Sequence, residues 1–279
     1  MTNLPLATIP ATEVRTLRST VIDQDYLISV ACPFGYAERP DQRYPVIYVL
    51  DANLSFGIVV ETMRILNIRV PWSKEFPDAI VVGIGYPLSG SLAEIYHQML
   101  HLRMRDFLPK RDEGAEKFIQ DTFPVSKSVV SGEAGNFLHF IQHELIPMIE
   151  AEYRADPADR TLMGHSWGGL FALYALFEQP QLFQRCVAGS ADLPHDQGYL
   201  LRAEAAFAQQ QHSFPVNLYM AFAEQELNDY NLPFVTPFVD RLKQRNYAGF
   251  KFTYETIPTC THGGALPGAY SAGLYTVFA

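Results

Sequence analysis

Gly164-His165-Ser166-Trp167-Gly168-Gly169 is the stretch from which the rest of this sequence is read. It carries the G-x-S-x-G pattern of a nucleophile elbow, in which a serine sits at the tip of a sharp turn between a strand and a helix. Upstream, Arg160-Thr161-Leu162-Met163 is short, half apolar and preceded by the turn-forming Asp156-Pro157-Ala158-Asp159. Downstream, Leu170-Phe171-Ala172-Leu173-Tyr174-Ala175-Leu176-Phe177 reads as a buried helix that stops before Pro180. A serine held at such a tip needs neighbours without Cβ atoms, and Gly164 and Gly168 meet that need. The N-terminus of the following helix offers free N–H groups to an oxyanion formed beside Ser166. Roughly one random chain in ten of this length carries the bare pattern, so the weight rests on its context.

That context is an alternation of strand-like and helix-like segments. Residues 14–20 and 26–31 read as an antiparallel edge hairpin. Strands are expected at 45–50, 79–85, 160–163, 185–188, 216–220 and 250–257. Helices are expected at 56–66, 136–153, 170–177, 200–211 and 234–244, the second kinked at Pro147. The pattern predicts one α/β domain over residues 1–279, with a mostly parallel central sheet and helices on both faces. Residues 86–135 break the rhythm with prolines, glycines and mixed charge, and are too long for an ordinary connection. They leave the carboxyl end of the fourth strand, where open α/β sheets bind ligands. We read them as a lid or cap insertion.

Composition narrows the function classes. The 279 residues are 48% hydrophobic and 18% charged, as in an ordinary globular enzyme. A net charge of −9 without a Lys/Arg-rich stretch argues against a nucleic-acid partner, and short basic spots such as Arg103-Met104-Arg105 and Lys110-Arg111 read as solvated surface. No apolar run has the length of a membrane span. Met1-Thr2-Asn3-Leu4-Pro5-Leu6 lacks the basic and apolar regions of a signal peptide. The three cysteines, Cys32, Cys186 and Cys260, have no pairing or metal-ligand spacing. A cytoplasmic protein is expected.

A nucleophilic serine needs a base within reach and a group that orients the base, in the chain order Ser, Asp/Glu, His for this kind of elbow. Of the eight histidines only His262 follows the last expected strand, in the glycine-bearing run Thr259-Cys260-Thr261-His262-Gly263-Gly264. The acid should lie beyond the strand ending near Met220, where Ala221-Phe222-Ala223-Glu224-Gln225-Glu226 follows. Glu226 is chosen because the chain must turn before a side chain can aim at His262, with Glu224 and Asp229 as alternatives. A Ser–His dyad would also serve. One oxyanion N–H would come from Trp167 and the other from Asn53 or Ala52 after the third strand. The i,i+4 pairs His97/His101 and His139/His143, the latter followed by Glu144, lack an obvious third ligand, so no metal is expected. Gly83-Ile84-Gly85 runs into Tyr86-Pro87, with neither a third glycine nor a helix start, so no dinucleotide cofactor is expected.

The sequence resembles the "putative esterase" family of α/β-hydrolases, in its branch of enterobactin- and bacillibactin-type siderophore esterases. The likeness lies in Tyr44-Pro45-Val46-Ile47-Tyr48-Val49-Leu50-Asp51-Ala52-Asn53 and Ile80-Val81-Val82-Gly83-Ile84-Gly85-Tyr86-Pro87. It extends through Arg105-Asp106-Phe107-Leu108-Pro109, Glu144–Tyr153, the elbow and Thr261-His262-Gly263. The resemblance implies an α/β-hydrolase fold and cofactor-free hydrolysis of a small-molecule ester by Ser166 and His262, with Glu226 as acid. Acyl transfer and non-catalytic binding are the alternative functions on this fold. Trp167 stands where the family has Leu or Phe, Ala52 replaces a glycine, and Ala223 stands where a glycine often precedes the acid. The first two departures fall around the oxyanion hole and bear on substrate preference.

Overall fold

The computed structural model describes residues 8–68, 76–123 and 129–279. The N-terminal reading and part of the 86–135 insertion lie outside these. The strands are β1 (Thr12–Arg18), β2 (Asp25–Ala31), β3 (Tyr44–Val49), β4 (Ile80–Gly85), β5 (Ala155–His165), β6 (Arg185–Gly189), β7 (Asn217–Ala223) and β8 (Lys251–Ile257). They form one sheet in the order β1-β2-β4-β3-β5-β6-β7-β8. β1 and β2 pair antiparallel, as the hairpin reading requires, and β2 is antiparallel to β4. Every pairing from β4 to β8 is parallel.

Strand alternation divides the core between two faces. Tyr48 and Leu50 point into one apolar cluster, Ile47 and Val49 into another. The second cluster lies beneath α1 (Ala52–Leu66) and the C-terminal helix α9 (Leu266–Phe278). The larger first cluster lies beneath α2 (Leu92–Phe107), α4 (Ala134–Phe140), α6 (Trp167–Glu178), α7 (His195–Gln210) and α8 (Leu232–Gln244). Helices therefore cover both faces, which suits buried parallel strands.

Several elements differ from expectation. Strand β5 begins at Ala155 and takes in Asp156-Pro157-Ala158-Asp159, expected as a turn, and α7 begins at His195 rather than at 200. Helix α1 begins at Ala52, four residues before the first expected helical position, because Asp51 adopts a left-handed conformation (φ 54°) and accepts from Leu54 N and Ser55 N. The helix expected at 136–153 is α4, a π-helical stretch Ile141–Leu145, and α5 (Ile146–Glu152). Pro147 lacks an N–H, so the regular ladder cannot run through it and the wider turn precedes it. Helix α9 was not expected at all. It buries Ala269, Tyr270, Gly273, Leu274 and Val277 against β6 and β7.

The segment expected as a lid contains α2 and α3 (Glu113–Thr122). Much of α2 belongs to the helical layer: Met104 and Phe107 are buried, and α2 packs on α4 and α6. Its C-terminal end is fixed by Asp106, which is fully buried and accepts from Arg105 Nε at 2.7 Å, Tyr26 Oη at 2.8 Å and Tyr86 Oη at 3.0 Å. These bonds satisfy the buried carboxylate and tie α2 to β2 and to the end of β4.

Close packing of α9 demands glycine at 273. A Cβ there would lie 2.5 Å from Val187 Cγ1 and 2.9 Å from Tyr219 Cδ1. Gly273→Ala should therefore destabilise the protein by about 1–2 kcal/mol, the cost of overpacking exceeding alanine's helix propensity gain. The midpoint of urea unfolding should fall; an unchanged or raised midpoint would contradict this packing.

Candidate active site

The sharp turn after β5 puts Ser166 at φ 62°, ψ −126°, a backbone region that non-glycine residues rarely occupy. The chain is held there by Ser166 N donating to Gly189 O and Leu170 N donating to Ser166 O, both at 2.9 Å. A Cβ on Gly164 would lie 2.1 Å from Gly168 O, so strand and helix meet only because that atom is missing. A Cβ on Gly169 would lie 2.8 Å from Gly189 O. The second glycine demanded by backbone is thus Gly169 more than Gly168, whose Cβ would meet the Asp51 side chain at 3.3 Å. The side chain of Ser166 is partly exposed.

Strand β7 runs three residues beyond Met220, and a 3₁₀ turn, Glu224–Glu226, follows at once. The turn aims Glu226 at the loop after β8. Glu226 Oε1 is hydrogen-bonded to His262 Nδ1. Its Oε2 accepts from Ser190 Oγ and, at 3.2 Å, from Ala223 N. Glu224 instead accepts from Thr259 N at 2.8 Å, outside the His262 contact. Burial works against a charge on Glu226, but the bonds from His262 and Ser190 outweigh it and hold the carboxyl below its ordinary range. The acid is mostly buried (15% side-chain exposure) while His262 is half exposed (48%). Among the described residues no hydrogen bond joins His262 to Ser166 Oγ.

Two helix N-termini face the elbow region. Trp167 is the first residue of α6, and Ala52 and Asn53 are the first two of α1, positions whose N–H groups have no partner within the helix. The Asn53 side chain is committed elsewhere: Nδ2 donates to Tyr86 O and Oδ1 accepts from Tyr86 N, each at 2.8 Å. That clasp needs Gly85, where a Cβ would lie 2.6 Å from Asn53 Oδ1, while Gly83 makes room for Ala52 and Phe56. The Gly83-Ile84-Gly85 run is thus occupied by the packing of α1.

Asp192 and Ser190 at the site were not singled out in the sequence, and Arg103, expected as solvated surface, is instead mostly buried and paired. Arg103 of α2 donates through Nε to Asp51 Oδ1 at 2.7 Å and lies 5.4 Å from the Trp167 ring centre. It links the α1 N-terminus to the elbow. Trp167 Nε1 donates to Asp192 Oδ2 at 3.1 Å, which fixes the indole. Ser190, buried just after β6, has φ 41°. A capping box, Ser91 with Glu94, is the signal that would have located α2 and hence Arg103. Of the other histidines, His97 packs on Phe123 with ring centres 4.6 Å apart, and the His139 and His143 rings are 4.3 Å apart. Among the described residues no three His, Cys, Asp or Glu side chains are grouped to hold a metal ion, and no helix is long and apolar enough to cross a membrane.

The family model described as "Putative esterase" matches residues 19–226. The chain belongs to this esterase family. It is 34% identical over 222 residues to the ferri-bacillibactin esterase BesA of Bacillus subtilis, covering 78% of this chain and 72% of that one. It is 30% identical over 190 residues to the siderophore triacetylfusarinine C esterase of Aspergillus fumigatus, covering 67% of this chain and 58% of that one. Among solved structures, the BES protein of Bacillus cereus superposes with a TM-score of 0.82 at 28% identity, over 99% of both chains. The fold is that of the α/β-hydrolases. Family membership supports ester hydrolysis as the activity of this esterase.

Ser190 generates a test by linkage. The folded-state pKa of Glu226 is depressed, so its ionisation stabilises the fold above the ordinary carboxylate range, near 4.3, and that stability is lost as pH falls through the depressed value. Ser190→Ala removes one stabilising bond to the charged form and should cost about 1–2 kcal/mol at pH 7. The difference from the native protein should shrink in urea unfolding at pH 3. A gap that is equal at both pH values would contradict the charge-assisted bond.

Proposed function

We propose that this esterase is a serine hydrolase acting through an acyl-enzyme, with Ser166 as nucleophile, His262 as base and Glu226 as the acid that orients the base. The observation that carries the reading is the Glu226–His262 pair, formed between the loops after β7 and β8, in a chain whose elbow carries Ser166. In the first half-reaction Ser166 Oγ bonds to the ester carbonyl carbon while His262 Nε2 takes its proton. The C–O bond to the alcohol then breaks, and His262 returns the proton to the departing oxygen. Water, deprotonated by His262, attacks the acyl carbon in the second half and frees Ser166. Trp167 N–H and the N–H of Asn53 or Ala52 would stabilise the oxyanion in both tetrahedral states.

For the substrate we favour a siderophore-type ester, a reading supported by the names of the Bacillus and Aspergillus relatives. Residues 86–135 are proposed to face substrate through the exposed side of the insertion, with Arg103 coupling α2 to the site. The three cysteines are free thiols, which supports a reducing, cytoplasmic site of action.

A fluorophosphonate probe tests the nucleophile directly. It should add one phosphonyl group to the Ser166 peptide, and Ser166→Ala should abolish both labelling and at least 99.9% of ester hydrolysis, roughly the three-decade loss typical of a removed triad member. Labelling elsewhere, or more than a few per cent of residual activity in a clean preparation, would refute the assignment. Glu226→Gln should lower kcat by about 10²–10⁴-fold with little change in KM, since the carboxylate matters most when His262 is cationic. Glu224→Gln and Asp229→Asn should stay within a few-fold of the native rate.

A further inference from the structure

His165 lies in the elbow next to the nucleophile, yet the mechanism above gives it no task. Its side chain is buried beneath the loop that carries His262, with the two ring centres 4.8 Å apart. His165 Nε2 lies 2.9 Å from the main-chain oxygen of His262. A carbonyl oxygen only accepts, so this contact requires the proton on Nε2 and leaves Nδ1 as a bare lone pair. Nδ1 has no hydrogen-bond partner among the described residues. It faces Gly189, where a Cβ would come within 2.7 Å of it. The ring therefore fills a slot that fits one tautomer.

The His262 loop is anchored on either side of the base, by Thr259 N donating to Glu224 at 2.8 Å, Gln225 N to Cys260 O at 3.3 Å and Ala265 N to Thr261 O at 3.0 Å. Thr261 to Gly264 are all exposed, and a Cβ on Gly263 would meet nothing within 4 Å. Glu226 fixes the His262 imidazole through Nδ1, and that bond does not hold the main-chain carbonyl of His262. His165 holds that carbonyl itself. Resting on the reading of Ser166 and His262 as nucleophile and base, we propose that His165 is a positioning residue whose Nε2–H latches the main-chain carbonyl of His262 and thereby sets the base over the elbow.

The environment suits a latch that never takes up a charge. Burial, and then the adjacent His262 ring, hold the His165 imidazole down to about 4, outweighing the raising influence of its own bond to the His262 carbonyl and of Glu226, with Arg103 adding to the depression. When His262 becomes cationic during turnover, its neighbour stays neutral. A second cation in ring contact would oppose proton uptake by the base; a neutral N–H donor does not. The same elbow position thus contributes a nucleophile at 166 and a fixed support for the base at 165.

Two measurements test this. In the native protein with ¹⁵N-labelled histidine, one imidazole should carry its proton on Nε2 and show no titration between pH 5 and 9, and it should vanish in His165→Gln. A neutral His165 with its proton on Nδ1 and Nε2 bare would overturn the proposal whatever any variant does. Kinetically, His165→Leu and His165→Met remove the donor and should cut kcat ten- to a hundred-fold with KM within two- to three-fold. His165→Gln places an amide N–H where Nε2 stood and should recover kcat to within about three-fold. Native kcat in the Leu and Met variants, or an equal loss in all three, would overturn the latch. Ser166→Ala run alongside separates the two claims: an active Ser166→Ala defeats the nucleophile assignment, whereas an inactive one with an unaffected His165→Met defeats only the latch.

Discussion

Ser166 cannot relax. Its φ of 62° and ψ of −126° cost on the order of 1–3 kcal/mol for a residue with a side chain. The conformation persists because its surroundings leave no alternative. Strand β5 is hydrogen-bonded on both sides, to β3 and β6, and α6 buries Leu170 to Leu173 completely. Between them, Gly164 and Gly168 approach so closely that a single methyl group would separate strand from helix. The strain at one residue is thus offset by the cooperative burial of two elements in the centre of the domain.

Similar backbone strain recurs around the site. Asp51 after β3 (φ 54°), Ser190 after β6 (φ 41°) and Thr259 after β8 (φ 57°) are all left-handed residues other than glycine. Each turns the chain abruptly at the carboxyl end of a parallel strand, and each sets a neighbouring group. Asp51 starts α1 and receives Arg103, Ser190 donates to Glu226, and Thr259 opens the loop that delivers His262. Parallel strands all end on the same edge of the sheet, so these turns converge. The charges follow the same logic. Glu226 is mostly buried and hydrogen-bonded on both oxygens, which favours its ionised form, while His262, the proposed base, is left half exposed.

The arrangement of the candidate site was legible wherever local sequence dictates backbone. The elbow shows in its glycines, and His262 in its place after the last strand. Glu226 followed from the need to turn after β7, even though that strand runs on to Ala223 and its end had been expected near Met220. What escaped were contacts set by tertiary packing. Arg103 reads as a solvated basic spot because its stretch looks irregular despite the Ser91–Glu94 capping box that starts α2. Ser190 is a single polar residue whose meaning depends on where Glu226 lands. Helix α9 follows the His262 loop so closely that the apolar spacing at 269, 270, 273, 274 and 277 does not stand out as a separate element. The start of α1 was missed because a left-handed aspartate is not a conventional N-cap.

The central claim is that the elbow serine and the Glu226–His262 pair act as one unit. A double-mutant cycle on kcat probes that unity most directly, using Ser166→Ala, His262→Ala and the two together, each purified free of background hydrolase. Groups that act jointly are non-additive, so the double variant should be no slower than either single one within about three-fold. Losses that multiply, with the double variant several decades below both single variants, would mean that Ser166 and His262 act independently and would contradict the account.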